Sequence, residues 1–180
     1  DFSMKIILSK LGKKAFIHNK EIKKTSDYVG YLNVVLFVPE DMMLIKGGPK
    51  LRRKLIDLEL SKISPVYMYN LNKYNQLLKE RNSYLKILKT KNGSYDDYLE
   101  ILSEQMARLQ VDLIHKRIEF VELLNEISAK MYSYISTQKE DLRIKYKSGY
   151  KSVDYKTILD KYKTSFSRDV MYMKTHDGIH

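Results

Sequence analysis

The chain has 180 residues and a formal net charge of +11, from 33 lysines and arginines against 22 acidic residues. It contains no cysteine, which excludes disulfides and thiolate metal sites and fits a reducing compartment. No run approaches the roughly 18 apolar residues of a transmembrane helix, and the length suits one compact domain, or one and a fraction, that folds without staples.

The opening Asp1-Phe2-Ser3 is neither a signal peptide nor an initiator, and both ends read as cut from something longer. Residues 4–9 (MKIILS) and 14–18 (KAFIH) read as strands joined at Leu11-Gly12-Lys13. Asn19-Lys20 can turn the chain into a short strand over Glu21–Lys23. Ser26 and Asp27 are N-cap residues for a short helix ending near Gly30. Residues 33–38 form a continuous apolar run, the pattern of a strand buried on both faces. Pro39 has no N–H to donate and ends it.

Glu40 to Ile45 reads as a helical turn with its acids at the positive end. Gly47-Gly48-Pro49 breaks the chain before a helix over 50–61. Ser64-Pro65 then places an N-cap ahead of a proline at the first helical position. Two long helices follow, 65–89 and 95–135, separated at Lys91-Asn92-Gly93-Ser94. Leu71, Tyr74, Leu78, Arg81, Leu85 and Leu88 repeat at spacings of three and four. Leu99, Leu102, Met106, Leu109 and Leu113 do the same, and Phe120, Leu124, Ile127 and Met131 resume the pattern. That is heptad periodicity, and it predicts an antiparallel helical hairpin. The second helix outruns the first, so its end is expected on the 50–61 and 152–167 helices. Residues 142–147 (LRIKYK) alternate like a strand, 152–167 read as a helix, and 170–173 (VMYM) open a further strand. The class is α+β: a small β-layer from both chain ends with an inserted antiparallel helical hairpin arm.

No enzyme site is complete. The seven glycines offer no phosphate-cradling loop of the Walker A spacing, in which backbone amides surround a phosphate. Residues 34–41 (VVLFVPED) mimic a Walker B strand, but a strand ending in an acidic turn accounts for them without a nucleotide. His115 lies beside Lys116 and Arg117 and reads as part of a solvated face. His176 and His180 lack third and fourth ligands, so no metal site is assigned.

The charge is uneven: residues 64–135 carry +1, while 1–48, 49–63 and 136–180 carry +3, +3 and +4. The densest cluster is Arg52-Arg53 with Lys46, Lys50 and Lys54, after the Gly-Gly-Pro loop and at a helix start. Loop amides and planar guanidinium forks suit phosphates. Equally, one arginine could pair with Asp57 or Glu59 along its own helix. Arg81 sits on the apolar seam, where a charge needs a partner. Glu104 and Asp112 on the facing helix are the candidates, in a register-setting role.

The order strand, Phe37-x-Pro39-Glu40-Asp41 turn, Gly47-x-Pro49-x-x-Arg52-Arg53 and a helix carrying Asp57, Glu59 and Leu60 resembles the RecF family of recombination and repair ATPases, relatives of the SMC proteins. Pro65, Tyr67, Leu71, Tyr74, Leu78, Arg81 and Asn82 also fall on the family pattern. Thr175, Gly178 and His180 resemble the opening of its Thr-x-x-Gly-Pro-His-Arg-Asp-Asp segment, with Ile179 where the family has proline and Val38 where it usually has serine. The resemblance implies an internal piece of a two-lobed, cytoplasmic ABC-type ATPase without membrane association. Residues 1–48 would end lobe I, 49–169 would form the SMC-like lobe II arm, and 170–180 would start the return to lobe I. It implies ATP and Mg2+ for the parent, with none bound by this piece alone, and an ATP-dependent homodimer. It also implies DNA at gaps or single-strand/double-strand junctions, RecR- and RecO-type mediator partners, and a role in loading RecA. Phe37, Pro39, Glu40 and Asp41 would lie near the nucleotide; Lys46, Lys50, Arg52, Arg53 and Lys54 would meet phosphates; Asp57, Arg81 and Asn82 would be structural. The rival reading is a purely structural hairpin that binds a protein and never touches DNA.

Overall fold

A computed structural model describes residues 3–10, 12–24, 31, 36, 38–91, 93–137 and 139–179. The chain divides into two compact units, Asp1–Gly47 and Gly48–His180.

The first unit holds an antiparallel meander of β1 (Met4–Ser9), β2 (Gly12–Ile17) and β3 (Lys20–Ile22). Met4 pairs with Ile17 and Ser9 with Gly12, so β1 and β2 are joined by two residues. Gly12 has φ of +127°, a value that favours glycine because a β-carbon is strained there. Ile17 pairs with Lys20, and the two residues between, His18 and Asn19, both have positive φ (47° and 65°). That is the turn whose twist matches paired strands. Further along, Pro39–Met42 forms a 3-10 turn that runs into α1 (Met43–Lys46). The expected helix at Ser26–Gly30 and most of the 33–38 strand lie outside the described residues. Leu36 and Val38 are not in a strand, and Leu36 is exposed.

The second unit is helical: α2 (Pro49–Ile63), α3 (Pro65–Lys91), α4 (Asp97–Ile135), α5 (Tyr155–Thr164) and α6 (Phe166–Tyr172). Its boundaries follow from local chemistry. Pro49 opens α2 behind the extended Gly48. Ser64 caps α3, its hydroxyl accepting from the Tyr67 amide at 3.2 Å. Asp96 caps α4 through the Leu99 amide at 2.9 Å, and Asp154 caps α5 through the Thr157 amide at 2.8 Å. Gly93 closes α3 by donating to the Leu88 carbonyl at 2.9 Å. A β-carbon at Gly93 would stand 2.6 Å from a Leu88 methyl, so any larger residue there requires the Leu88 side chain to shift.

Helices α3 and α4 form the expected antiparallel hairpin. Contacts run Tyr67–Arg117, then Arg81–Ser103, then the Leu85, Leu88 and Leu99 cluster nearest the turn. The main core joins Tyr74 and Leu77 of α3, Leu102, Met106 and Leu113 of α4, and Ile158 and Tyr162 of α5. Burying each such side chain contributes about 2 kcal/mol, so this core fixes the hairpin more than helix propensity does.

Three expectations change. The described strands come only from the N-terminal part of the chain. Residues 142–147 belong to no strand: Ile144 and Tyr146 pack on the core, but the Ile144 amide donates to the Asn125 side chain at 2.9 Å. Residues 170–172 belong to α6, because the chain breaks at Ser165 and resumes helical hydrogen bonding with Asp169 N to Ser165 O at 2.9 Å. The end of α4 does not bury itself on α2 and α5. Leu123, Ile127, Met131 and Tyr134, which fall on one helical face, are exposed. Among the described residues, no helix is long and apolar enough to cross a membrane.

Candidate functional site

Proline at the first position of α2 and a three-to-four residue spacing bring Lys50, Arg53 and Lys54 to one side of that helix. With Asp57, Arg117 and Ile179 they line a groove of about 400 Å³. Lys50 and Lys54 are exposed, Arg53 is half-buried, and the Arg53 Nε is shielded from solvent with no hydrogen-bond partner. Arg52 is exposed on α2 but does not line the groove, and Lys46 belongs to the first unit.

The floor of the groove is an ion pair between α2 and α4. Arg117 donates from Nε to Asp57 Oδ1 at 2.7 Å and from Nη2 to Asp57 Oδ2 at 2.8 Å. Its Nη1 donates to the Ile179 carbonyl at 2.9 Å and to Tyr146 Oη at 3.2 Å. Tyr67 adds its hydroxyl to Asp57 at 2.6 Å. Burial opposes the Arg117 charge, yet the Asp57 carboxylate outweighs it and holds the guanidinium well above its ordinary value. Burial foremost raises the Tyr67 hydroxyl, so it stays a neutral donor. Asp57 is therefore occupied by Arg117 rather than by Arg52 or Arg53, and Glu59 pairs with Lys62 at 2.8 Å. Once Asp57 and Arg117 cancel, the groove presents the three positive charges of Lys50, Arg53 and Lys54.

Arg81, fully buried on the α3 seam, meets neither Glu104 nor Asp112. Its partner is Asp169 of α6, itself fully buried, at 2.8 Å. The seam faces α6 at this level, and Glu104 and Asp112 lie off the buried stripe of α4. Arg81 also donates to Thr175 Oγ1 at 2.7 Å, and its guanidinium carbon lies 5.0 Å from the Tyr162 ring centroid. Asn82 Oδ1 accepts from the Thr175 amide at 2.7 Å and the Thr175 hydroxyl at 2.8 Å.

These contacts converge on residues 175–179, which side chains of the arm hold largely by the backbone. Besides Thr175, the His176 amide donates to Asp169 Oδ1 at 3.1 Å, and the Ile179 amide to Tyr74 Oη at 3.2 Å. The Asp177 carbonyl accepts from the Tyr150 hydroxyl and from Gln110 Nε2. Tyr162 donates to Gln110 Oε1, which leaves Tyr74 as donor to Tyr162 at 3.3 Å. Burial raises Tyr74, Tyr150 and Tyr162, keeping this chain of hydroxyls protonated.

In the first unit, Asp41 caps its own turn: its carboxylate accepts from the Val38 amide at 2.9 Å, while Pro39 and Glu40 are both exposed. Phe37 and His180 lie outside the described residues. Among the described residues, no group of three or more acidic or histidine side chains could hold a metal ion.

Sequence reasoning missed Arg117 and Asp169. The signal for Arg117 was available: it stands four residues after Leu113 and four before Val121, on the same buried stripe.

No family model matches the chain. The chain is 38% identical over 184 residues to the DNA replication and repair protein RecF of Ligilactobacillus salivarius (strain UCC118), covering 98% of this chain and 48% of that protein. It is 39% identical over 185 residues to RecF of Geobacillus sp. (strain WCH70), covering 99% and 50%. A solved structure of the recombination mediator protein RecF-ATP in the RecFOR pathway superposes with a TM-score of 0.84 at 32% identity, covering 94% of this chain and 46% of that one. The RecF-ATPrS structure from the same pathway gives 0.85 at 33% identity, with 98% and 49% covered. The chain spans about half the length of the curated relatives it matches.

Proposed function

Because the chain belongs to the RecF family, we propose that it is the arm, with adjoining ATPase-lobe residues, of a recombinational repair ATPase that acts at gapped or junction DNA. In this reading residues 1–48 end lobe I, 49–169 form lobe II, and 170–180 begin the return to lobe I. The full-length protein uses ATP and Mg2+, dimerises with ATP, works in the cytoplasm with RecO- and RecR-type partners and helps load RecA. The solved neighbours named as RecF-ATP and as members of the RecFOR pathway support the nucleotide and the mediator partners.

The arm's own contribution is phosphate contact through the α2 groove. The observation that carries it is the cationic wall of Lys50, Arg53 and Lys54, left with net positive charge because Asp57 is neutralised from beneath by Arg117. Lys and Arg that displace counterions from a phosphate backbone give affinity without sequence preference. Arg52, exposed on the same helix, and Lys46, in the first unit, are further candidates for phosphate contact and do not line the groove. Glu40 and Asp41, with Phe37 and Pro39, are assigned to the region that couples nucleotide to the arm. Binding of the chain to a gapped duplex over a salt series, beside Arg53→Gln/Lys54→Gln, tests the assignment.

A second reading, a protein-docking arm, is favoured by the exposed apolar face of Leu123, Ile127, Met131 and Tyr134. Salt-independent or absent DNA binding would support it.

A further inference from the structure

The groove and the 175–179 segment share Arg117. Two of its donors hold Asp57, on the helix that carries Lys50, Arg53 and Lys54. A third holds the Ile179 carbonyl, and Ile179 forms part of the groove wall. The rigid fork of a guanidinium fixes these two directions relative to each other, so α2 and Ile179 cannot shift independently while both bonds persist.

The segment itself is built to be held or released. Three of its five amides, Thr175, His176 and Ile179, donate to side chains of the arm, and none of these bonds is part of a backbone ladder. Its carbonyl bonds likewise end on Arg117, Tyr150 and Gln110. Such a segment can leave as a unit without unravelling a helix or sheet, and proteins open locally in cooperative units of this kind.

We propose that residues 175–179 form a docked strap whose engagement is coupled, through Arg117, to occupancy of the α2 groove by a nucleic-acid phosphate. The inference rests on the phosphate reading of that groove. A phosphate at Lys50, Arg53 and Lys54 draws on a wall that is complete only when Ile179 is seated, so it favours the docked strap; by linkage, the docked strap strengthens phosphate binding by the same factor. The strap thereby reports, along residues 175–179, whether the groove is filled.

Hydrogen exchange of the strap amides in the whole chain, with and without a gapped DNA duplex, tests this. Exchange at Thr175, His176 and Ile179 should slow about tenfold on saturation with DNA. The Arg53→Gln/Lys54→Gln variant leaves Arg117 and the strap untouched; it should keep the unliganded exchange rates and lose the DNA effect. DNA that binds in a groove-dependent manner while strap exchange stays constant would overturn the coupling and leave the groove assignment standing. DNA binding that ignores the double substitution, or no DNA binding at all, would overturn both.

Discussion

Arg81 and Asp169, 88 residues apart, meet at 2.8 Å with neither side chain exposed to solvent, tying the first helix of the hairpin to the short helix that packs against it. A buried pair of this kind is strongly destabilising to break, because the survivor keeps an uncompensated charge. Arg81→Met and Asp169→Leu should each lower unfolding stability by about 3–5 kcal/mol, whereas the double substitution should cost much less. Urea denaturation followed by helical circular dichroism, run as a double-mutant cycle, measures this; additive losses would show that the two side chains do not compensate each other.

Arg117 makes a narrower demand. It needs a planar fork to reach both oxygens of Asp57 and the Ile179 carbonyl. Arg117→Lys keeps the charge but not the geometry, and should still cost about 2–3 kcal/mol, close to the loss in Asp57→Asn. Equal stability of Arg117→Lys and wild type in the same urea series would show that the fork is not required.

The cap of α5 supplies a pH test. Hydrogen bonds from Ser152 and from Thr157 lower the Asp154 carboxyl to about 2, against an ordinary value near 3.9. A carboxyl lowered on folding stabilises the fold above its unfolded value and ceases to as pH falls through its folded value. The difference in unfolding midpoint between wild type and Asp154→Asn should be constant above about pH 4 and shrink steadily toward pH 2. A difference independent of pH over that window would contradict the cap.

Much of the arm was legible because its signals are local. Ser64-Pro65, Gly93 and the three-four spacing of apolar residues place α3 and α4 without reference to anything distant. The partners of the seam charges were not legible. Arg81 finds Asp169 and Arg117 finds Asp57 across 88 and 60 residues, and no periodicity reaches that far. Alternation over 142–147 is a true signal of one packed face, with Ile144 and Tyr146 inward. It carries no information on whether a strand lies alongside, and none does among the described residues. In Val170-Met171-Tyr172-Met173 the strand-like composition yields to tertiary packing, which seats Val170 on the Leu85, Leu88 and Leu99 cluster as part of a helix.

The nucleotide-proximal assignment has its own test in the full-length protein. Glu40→Ala/Asp41→Ala should reduce ATP-dependent dimerisation measured by light scattering, while leaving the helical unit folded, since both residues lie in the first unit. Unchanged dimerisation would remove these residues from the coupling region.

The most direct measurement is fluorescence anisotropy of the chain on a gapped DNA duplex across a salt series, beside Arg53→Gln/Lys54→Gln. Wild type should bind with a log–log salt slope of several, and the variant's slope should be shallower by about two, near 0.9 for each phosphate that is no longer neutralised. Equal slopes and affinities for the two proteins, or no binding by either, would contradict the assignment of the α2 groove to DNA phosphate.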